Sequence, residues 1–342
     1  MDFKKHIRPT YYRLSHLYRR SMLNLGKILL SPRSISTKVT FSYAPGVKLD
    51  GLGAQLQRVL AINALGEYWS VEVKHDPITE IAIHPLDEID NSNDYLVFLK
   101  NVNNVIGSYE SLPRREKSFH FLNFNFSKLM KVFLYVYSNR KSVRINLTLP
   151  YYFVDSKPEI YNCKSNFLVR KRLNSFSTLN LSDQIVLHHR QGVGNMAIQP
   201  GQKLPREIAQ QFYLRVLSKC INFYPGRTLT VFTDAPISQM EFRPPSNQIE
   251  SWVDLPSFDG NKMTIAANSL DWITEQLSLK TKVIRGGNPL ETMANMSTAK
   301  VLILSRSSFG YLAAILAEMA DVWIPSDFWH QPLPGWRKYP AI

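Results

Sequence analysis

From residue 183 onward, short continuous apolar runs alternate with stretches in which apolar positions recur every three or four residues. The runs IVL in DQIVLHHR, VLIL in KVLILS and VWI in DVWIPS have the composition of strands buried on both faces. RTLTVFTDAP and TKVIRGG read as further strands, NQIESWV as another candidate, and DVWIPS as the last. Between them REIAQQFYLRVLSKCINF, SLDWITEQLS, PLETMANMSTA and SSFGYLAAILAEM carry the helical period. Strands alternating with helices in this way predict parallel βαβ units, a Rossmann-like domain over 183–342.

The earlier half is less regular. TKVTFSYAP alternates as a strand does, and AQLQRVLAINALGEYW places Leu56, Val59, Leu60, Ile62, Ala64, Leu65 and Tyr68 at helical spacing. WSVEVKH and EIAIHP read as short strands. Residues 90–165 mix aromatic-rich runs, FHFLNFNF and MKVFLYVY, with turns, and no element type follows from them. YNCKSNFLVRKRLNSFSTLNLS is polar and basic, a suitable crossing between domains. The expected organisation is an N-terminal segment 1–38, an α/β domain 39–165 and the Rossmann-like domain 183–342.

Composition and charge narrow the picture. With 44% hydrophobic and 12% aromatic residues the chain can bury sizeable cores, which excludes a disordered protein. Its longest apolar stretches, such as YLAAILA, fall far short of the roughly 20 residues that span a bilayer. Cys163 and Cys220 are the only cysteines, too few for a disulfide framework or a metal cluster, so a reducing, cytoplasmic setting is expected. The first forty residues hold nine Lys/Arg against Asp2 alone, a net +8 of the chain's +14. Leu14, Leu17, Tyr18, Met22, Leu23 and Ile28 interleave with those charges. Two readings follow: a basic amphipathic helix lying on an anionic membrane surface, at the inner face, or a helix packed on its own domain. Because the charge is concentrated at one end and no recognised module appears, nucleic-acid binding is not expected.

The chemistry gathers at strand ends. QIVLHHRQGVGN carries His188, His189 and Arg190 to the carboxyl end of a strand, where open α/β sheets bind ligands. Arginine offers a planar, bidentate set of donors for phosphate or carboxylate, or else a strand-end salt bridge. Side chains alternate along a strand, so one of the two histidines should face helix packing. In KVLILSRSSFGYLAAIL, Ser307 or Ser308 caps a helix whose free N–H groups form an anion site. Asp234 in TLTVFTDAP ends another strand and suits either a nucleoside contact or a turn. GGNPLETM is a helix start, with Asn288 as cap, Pro289 at the first position and Glu291 at the capping-box position. DGLGAQLQRVL sets Gly51 and Gly53 before a helix, a turn a ligand can approach closely. It matches neither the dinucleotide fingerprint nor the P-loop, since Leu56 stands at the third glycine and no Lys-Ser/Thr follows.

In order, these motifs resemble the fucosyltransferase superfamily, the α1,2- and α1,6-fucosyltransferases and protein O-fucosyltransferases. DGLGAQLQRVLAINAL is similar to the early Gly-x-Gly-Asn-Gln turn and helix. VLHHRQGV is similar to the His-x-Arg-Arg-x-Asp strand end, LTVFTDAP to the F-S/T-D strand, and AKVLILSRSSFGYLAAIL to the late Ser-Ser/Thr-Phe-Ser element. The likeness covers roughly 50–65 and 183–325. It implies a GT-B-like α/β architecture of two Rossmann-like domains facing a cleft, and an inverting, metal-independent transfer from a nucleotide sugar. GDP-fucose is the preferred donor, a glycan, polysaccharide or lipopolysaccharide the acceptor, and no tightly bound cofactor is implied. Carried over, Arg190 clamps the β-phosphate, His188 shapes that strand end, and Ser307 and Ser308 bond the diphosphate. Gly53 and Gln55 line the cleft. Gln191, Val193, Ala54 and Gly310 depart from the pattern. Asp50 and His189 are the candidates for general base. The competing expectation is a non-catalytic, membrane-associated relic that binds nucleotide sugar or serves as a scaffold.

Overall fold

The computed structural model describes residues 3–43, 50–84, 86–89, 91–107, 117–121, 126–190, 210–243, 258–259, 262–265, 267–277, 279–318 and 320–340. It is an α/β protein whose chain divides into two units, one of residues 1–47, 56–78 and 106–169, the other of 48–55, 79–105 and 170–342. The division differs from the collinear one expected at 39–165 and 183–342. Residues 48–55 and 79–105 leave the amino-terminal half and join the Rossmann-like unit.

The first unit is built on four parallel strands in the order β2-β1-β4-β3. These are β1 (Val39–Tyr43), β2 (Glu72–Val73), β3 (Lys117–Phe121) and β4 (Val143–Leu147). Its helices are α1 (Phe3–Leu30), α2 (Arg33–Ser36), most of α3 (Leu52–Trp69), α5 (Phe126–Asn139), α6 (Tyr151–Val154) and the start of α7 (Lys164–Leu173). The aromatic run MKVFLYVY, which gave no element type, lies in α5, where Leu129, Val132 and Val136 bury one face at helical spacing. The expected crossing is partly helical: α7 carries the chain from one unit to the other.

α1 bears on both readings of residues 1–38. Its second half is part of this unit's core: Met22, Leu23 and Leu30 are buried. Trp69 Nε1 donates to the Leu23 carbonyl at 2.7 Å, and its ring meets Phe41 edge-on at 5.6 Å. Gly26 permits this packing, since a Cβ there would stand 2.3 Å from the indole. Leu14, Leu17, Tyr18 and Ile28 nevertheless remain exposed on the same helix. Among the described residues no helix is long and apolar enough to cross a membrane.

The second unit carries a six-stranded sheet, all parallel, in the order β10-β6-β5-β11-β12-β13. Its strands are β5 (Gln184–His189), β6 (Thr228–Thr233), β10 (Thr281–Arg285), β11 (Val301–Ile303), β12 (Asp321–Pro325) and β13 (Arg337–Tyr339). A small antiparallel sheet, β7 (Met240–Phe242), β8 (Phe258–Asp259) and β9 (Lys262–Ile265), interrupts the path from β6 to β10. The helices are α4 (Ser92–Ile106), α8 (Gln210–Phe223), α9 (Asp271–Leu277), α10 (Pro289–Ser297) and α11 (Ser308–Leu316). β12 is not the last strand, as expected; β13 follows it. EIAIHP forms no strand beyond an isolated bridge at Ala82, and NQIESWV lies outside the described residues. Ile185 and Leu187 of β5, Leu229 and Val231 of β6, and Val301 and Ile303 of β11 join Tyr213, Leu217 and Trp272 in one core on the α8–α9 face.

Candidate functional site

If β5 is counted as the first strand of its sheet, the order reads third, second, first, fourth, fifth, sixth. That is the order of dinucleotide-binding Rossmann folds, in which ligands occupy the crevice where the chain reverses direction across the sheet. Here the reversal falls between β5 and β11. A cavity of about 220 Å³ opens beyond these strand ends, and all of its lining residues lie within the second unit. Of the residues singled out by sequence, Asp50, Gly53, His188, Arg190, Asp234, Ser307 and Ser308 line it; Gln55 and His189 do not.

Strand alternation separates the two histidines. His188 points toward α11: its Nδ1 lies 2.9 Å from Ser305 Oγ, and its ring stacks on Phe309 at 5.8 Å. Burial, then the charge of Arg190, pushes its pKa down to about 3, so it is neutral. His189 points the other way, between Tyr213 and Trp272, with Nδ1 at 2.9 Å from Thr233 Oγ1. Burial lowers its pKa to about 4. The expectation that His189 serves as general base is corrected: it is a hydrogen-bonded core residue outside the pocket. Gln55 is likewise a strut. It is buried, and its side-chain amide donates to the carbonyls of Asp50 and Glu80, tying the early turn to residue 80.

Arg190 stands at the centre of the charged groups. Its Nη1 lies 2.9 Å from Asp234 Oδ2, each side chain only 12% and 15% exposed, and its Nη2 lies 3.4 Å from His84 Nδ1. The contact with Asp234 is an ion pair between two largely covered side chains. Asp234 thus meets Arg190 as an ion-pair partner within the pocket. Beside them is Asp87, whose Oδ2 accepts the His84 amide at 2.7 Å. Burial raises its carboxyl to about 7; the nearby Asp234 pushes the same way, while the His84 hydrogen bond and Arg190 oppose the rise.

Backbone contacts hold the walls. The Gly287 amide donates to the Leu86 carbonyl at 3.0 Å and the Glu88 amide to the Gly287 carbonyl at 3.2 Å, which fixes the Asp87 loop to the turn after β10. Gly286 and Gly287 have φ of +62° and +98°, and a Cβ on Gly286 would stand 2.0 Å from the Leu86 carbonyl. Asn288 then caps α10 through the amides of Leu290 and Glu291. Glu291 does not complete a capping box; its carboxylate accepts the Thr178 hydroxyl at 2.5 Å. Ser307 caps α11 by accepting the Phe309 amide at 3.2 Å, while Ser308, in the first turn, stays accessible to the pocket. Gly53 is explained by the protein itself: a Cβ there would stand 2.5 Å from Phe309 Cα, so the early turn lies against the start of α11. Gly310, the departure from the Ser-Ser/Thr-Phe-Ser pattern, has a similar cause, because a Cβ would stand 2.7 Å from His188 Nδ1.

Four lining residues were missed by sequence reasoning. Asp87 and His84 sit in the stretch HPLDEID, whose proximity to Arg190 arises only from folding. Arg306, in the turn read only for its serines, is 3% exposed and bonds both oxygens of Asp327. Trp329 is 44% exposed and lines the pocket, an aromatic side chain of the kind that stacks on flat ligands. A tryptophan in the loop SDFWHQPLPGW was the available signal. Among the described residues no group of three or more His, Cys, Asp or Glu is arranged to hold a metal ion.

No family model matches the chain, and no curated protein matches it. Among solved structures, POFUT1 in complex with GDP is 10% identical at a TM-score of 0.39, over 82% of this chain and 95% of that one. The Escherichia coli heptosyltransferase WaaC with ADP is 8% identical at a TM-score of 0.41, over 88% and 92%. A glycosyl transferase family 9 protein from Veillonella parvula is 12% identical at 0.37, over 89% and 87%. Likenesses of this extent identify no family.

Proposed function

We propose that the chain is a glycosyltransferase that draws its sugar from a nucleotide-sugar donor bound in the second unit. One observation carries the reading. A pocket at the sheet's reversal point brings together Arg190 and the accessible first turn of α11, the two kinds of group that hold a diphosphate. In this reading Arg190 and Ser308 take the phosphates, Trp329 offers a face to the base or sugar, and His188 and Ser307 shape the wall. Asp234 orients the guanidinium, so that the donors facing the pocket stay aimed at the ligand. Positive charge on the departing diphosphate would do the work of a divalent cation, consistent with an inverting transfer. The motif order favours GDP-fucose as donor and a glycan, polysaccharide or lipopolysaccharide as acceptor.

The basic, exposed stripe of α1 supports peripheral attachment to an anionic membrane, at the cytoplasmic face, because Leu14, Leu17, Tyr18 and Ile28 lie on it with Arg20 and Lys27 alongside. A second reading has its own observation: Arg190 and Arg306 are both already paired, with Asp234 and Asp327, as in a nucleotide-binding relic that no longer transfers sugar. Thermal shift with GDP, UDP, ADP and CMP, followed by turnover of the matching nucleotide sugars, decides among these. Stabilisation by GDP with turnover of GDP-fucose supports the full reading, and stabilisation by UDP alone removes fucose from it. Binding without any turnover favours the relic, and no stabilisation by any nucleotide refutes both.

A further inference from the structure

The transfer needs a group that takes the proton of the attacking hydroxyl. With His189 enclosed in the core and Asp234 ion-paired with Arg190, the other two of the three pocket carboxylates, Asp50 and Asp87, are the ones to weigh. We propose that Asp87 is that proton acceptor, and that a diphosphate seated on Arg190 makes it a stronger one. The inference rests on the transferase reading above.

Geometry favours Asp87 in three ways. Its loop is held by two backbone hydrogen bonds to the Gly286–Gly287 turn, so the carboxylate is fixed at the pocket wall. The His84 amide occupies Oδ2, leaving Oδ1 for a ligand. Its charged surroundings are those of the donor site. Arg190 and His188 from the end of β5, Asp234 from the end of β6, Arg306 from the turn after β11, Asp50 from the early turn and His84 from its own loop line the same pocket. Of these, His84, Arg190 and Asp234 act on its carboxyl. His188 is neutral at working pH, so Arg190 is the cation that acts on it, with Asp234 opposing.

The step balances simply. The acceptor oxygen forms a bond to the anomeric carbon, and the bond from that carbon to the phosphate oxygen breaks with its electron pair going to the diphosphate. The hydroxyl proton passes to Asp87 Oδ1. Before the step, the negative phosphates offset the charge of Arg190, which together with the His84 hydrogen bond holds the Asp87 proton off. Donor binding thereby raises the basicity of the carboxylate in the complex where a base is needed. In the free protein the carboxyl sits near neutrality at about 7, so a modest change moves a measurable fraction of a proton.

Calorimetric titration of GDP into the full chain at pH 7.5, in two buffers of different ionisation enthalpy, reads that proton directly. If GDP raises the carboxyl by one unit, binding takes up roughly half a proton. The uptake is expected in the native chain and in Asp50→Asn, and is expected to vanish in Asp87→Asn with GDP affinity within about threefold. With GDP-fucose and an acceptor that turns over, Asp87→Asn should lower kcat by roughly a hundredfold or more while KM for donor holds. The acid limb of its pH profile should disappear as well. Uptake that persists in Asp87→Asn, or native-like turnover by that variant while GDP still binds, overturns the assignment and leaves the donor site standing. Failure of the native chain to bind GDP, UDP or ADP overturns the donor site and the assignment together.

Discussion

Arg190→Ala should do two separable things. It removes one member of an ion pair whose side chains are 12% and 15% exposed, so that Asp234 loses the guanidinium charge beside it. An open surface pair contributes about 1 kcal/mol or less, and one-sided removal of a fully buried pair costs about 3–5 kcal/mol. With most of its surface covered this pair lies between, so the variant should lose about 2–3 kcal/mol. Its midpoint in urea should fall accordingly. Removing Asp234 as well should restore part of the loss, since the carboxylate that lost the guanidinium is gone too. Ligand binding should not follow the same pattern. A charge-assisted hydrogen bond to phosphate contributes about 1.5–3 kcal/mol, so GDP affinity should fall by roughly ten- to a hundredfold in Arg190→Ala and stay low in the double variant. Arg190→Lys should keep stability better than affinity, for its point charge still faces Asp234 but cannot form a two-pronged contact. Urea titration and GDP calorimetry on the four proteins read both effects. A double variant that regains native stability and also binds GDP like the native chain would refute the phosphate role and leave Arg190 a strand-end salt bridge.

Stability should depend on pH through three buried histidines. Burial holds His75, His188 and His189 near 4, 3 and 4, while in the unfolded chain they take protons below the ordinary value of 6.5. Unfolding therefore takes up protons, and stability is lost as pH falls from 6.5 toward 4, by up to about 2 kcal/mol per histidine at pH 5. Asp87 acts in the opposite sense, because the folded protein keeps its proton between 3.8 and about 7, so its contribution shrinks as pH rises through that window. Urea midpoints at pH 5 and 7 test the sum, and an equal midpoint at both would contradict it. A chain beginning at Val39 should fail to fold, because it lacks Leu23, Leu30 and the helix face under Trp69; a native-like circular dichroism melt would show otherwise. Replacing exposed Leu14, Leu17 and Ile28 by serine should instead spare the melt and weaken sedimentation with anionic vesicles, unless the stripe has no membrane role. Gly53→Ala must push its Cβ out of the backbone of Phe309 and should cost about 1–3 kcal/mol, readable as a lowered urea midpoint.

The parts of this fold that were legible in sequence are those in which one element states its own burial. β5, β11 and β12 announce themselves because strands covered on both faces are apolar throughout. Asn288 and Ser307 were legible because a cap is a local device. β13 was not, since RKY is three residues at a sheet edge with two of its side chains exposed. α5 hid its period because exposed Leu134 and Tyr137 fill its outer face with further apolar residues. In the pocket, strand alternation foretold that the histidines would part, though not which one would line the cavity. Asp87 could not be read at all. Its carboxyl is set by burial and the His84 amide, then by Arg190 and Asp234, and both the burial and those two charges come from partners more than a hundred residues away in the chain or from the folded pocket.

The second unit is stitched from three stretches of chain, and this bears on how the protein is made. Gly53 leaves the ribosome about 250 residues before Phe309, the backbone it must lie against. At roughly 5–20 residues per second that is a wait on the order of ten to fifty seconds. During it the early turn and residues 79–105, including Phe98, Leu99 and Val102 of α4, which end up buried, have no finished sheet to join. Contacts so distant in sequence form slowly and leave partly folded chains open to association. Nor can the carboxy-terminal half be produced by itself as a nucleotide-binding module, since it would lack Asp50, Gly53, His84 and Asp87 from the pocket wall. A fragment of residues 170–342 would present the strand ends with one side of the pocket missing. Production of the whole chain should accordingly respond to slower synthesis or lower temperature, whereas the half-chain should not gain from either.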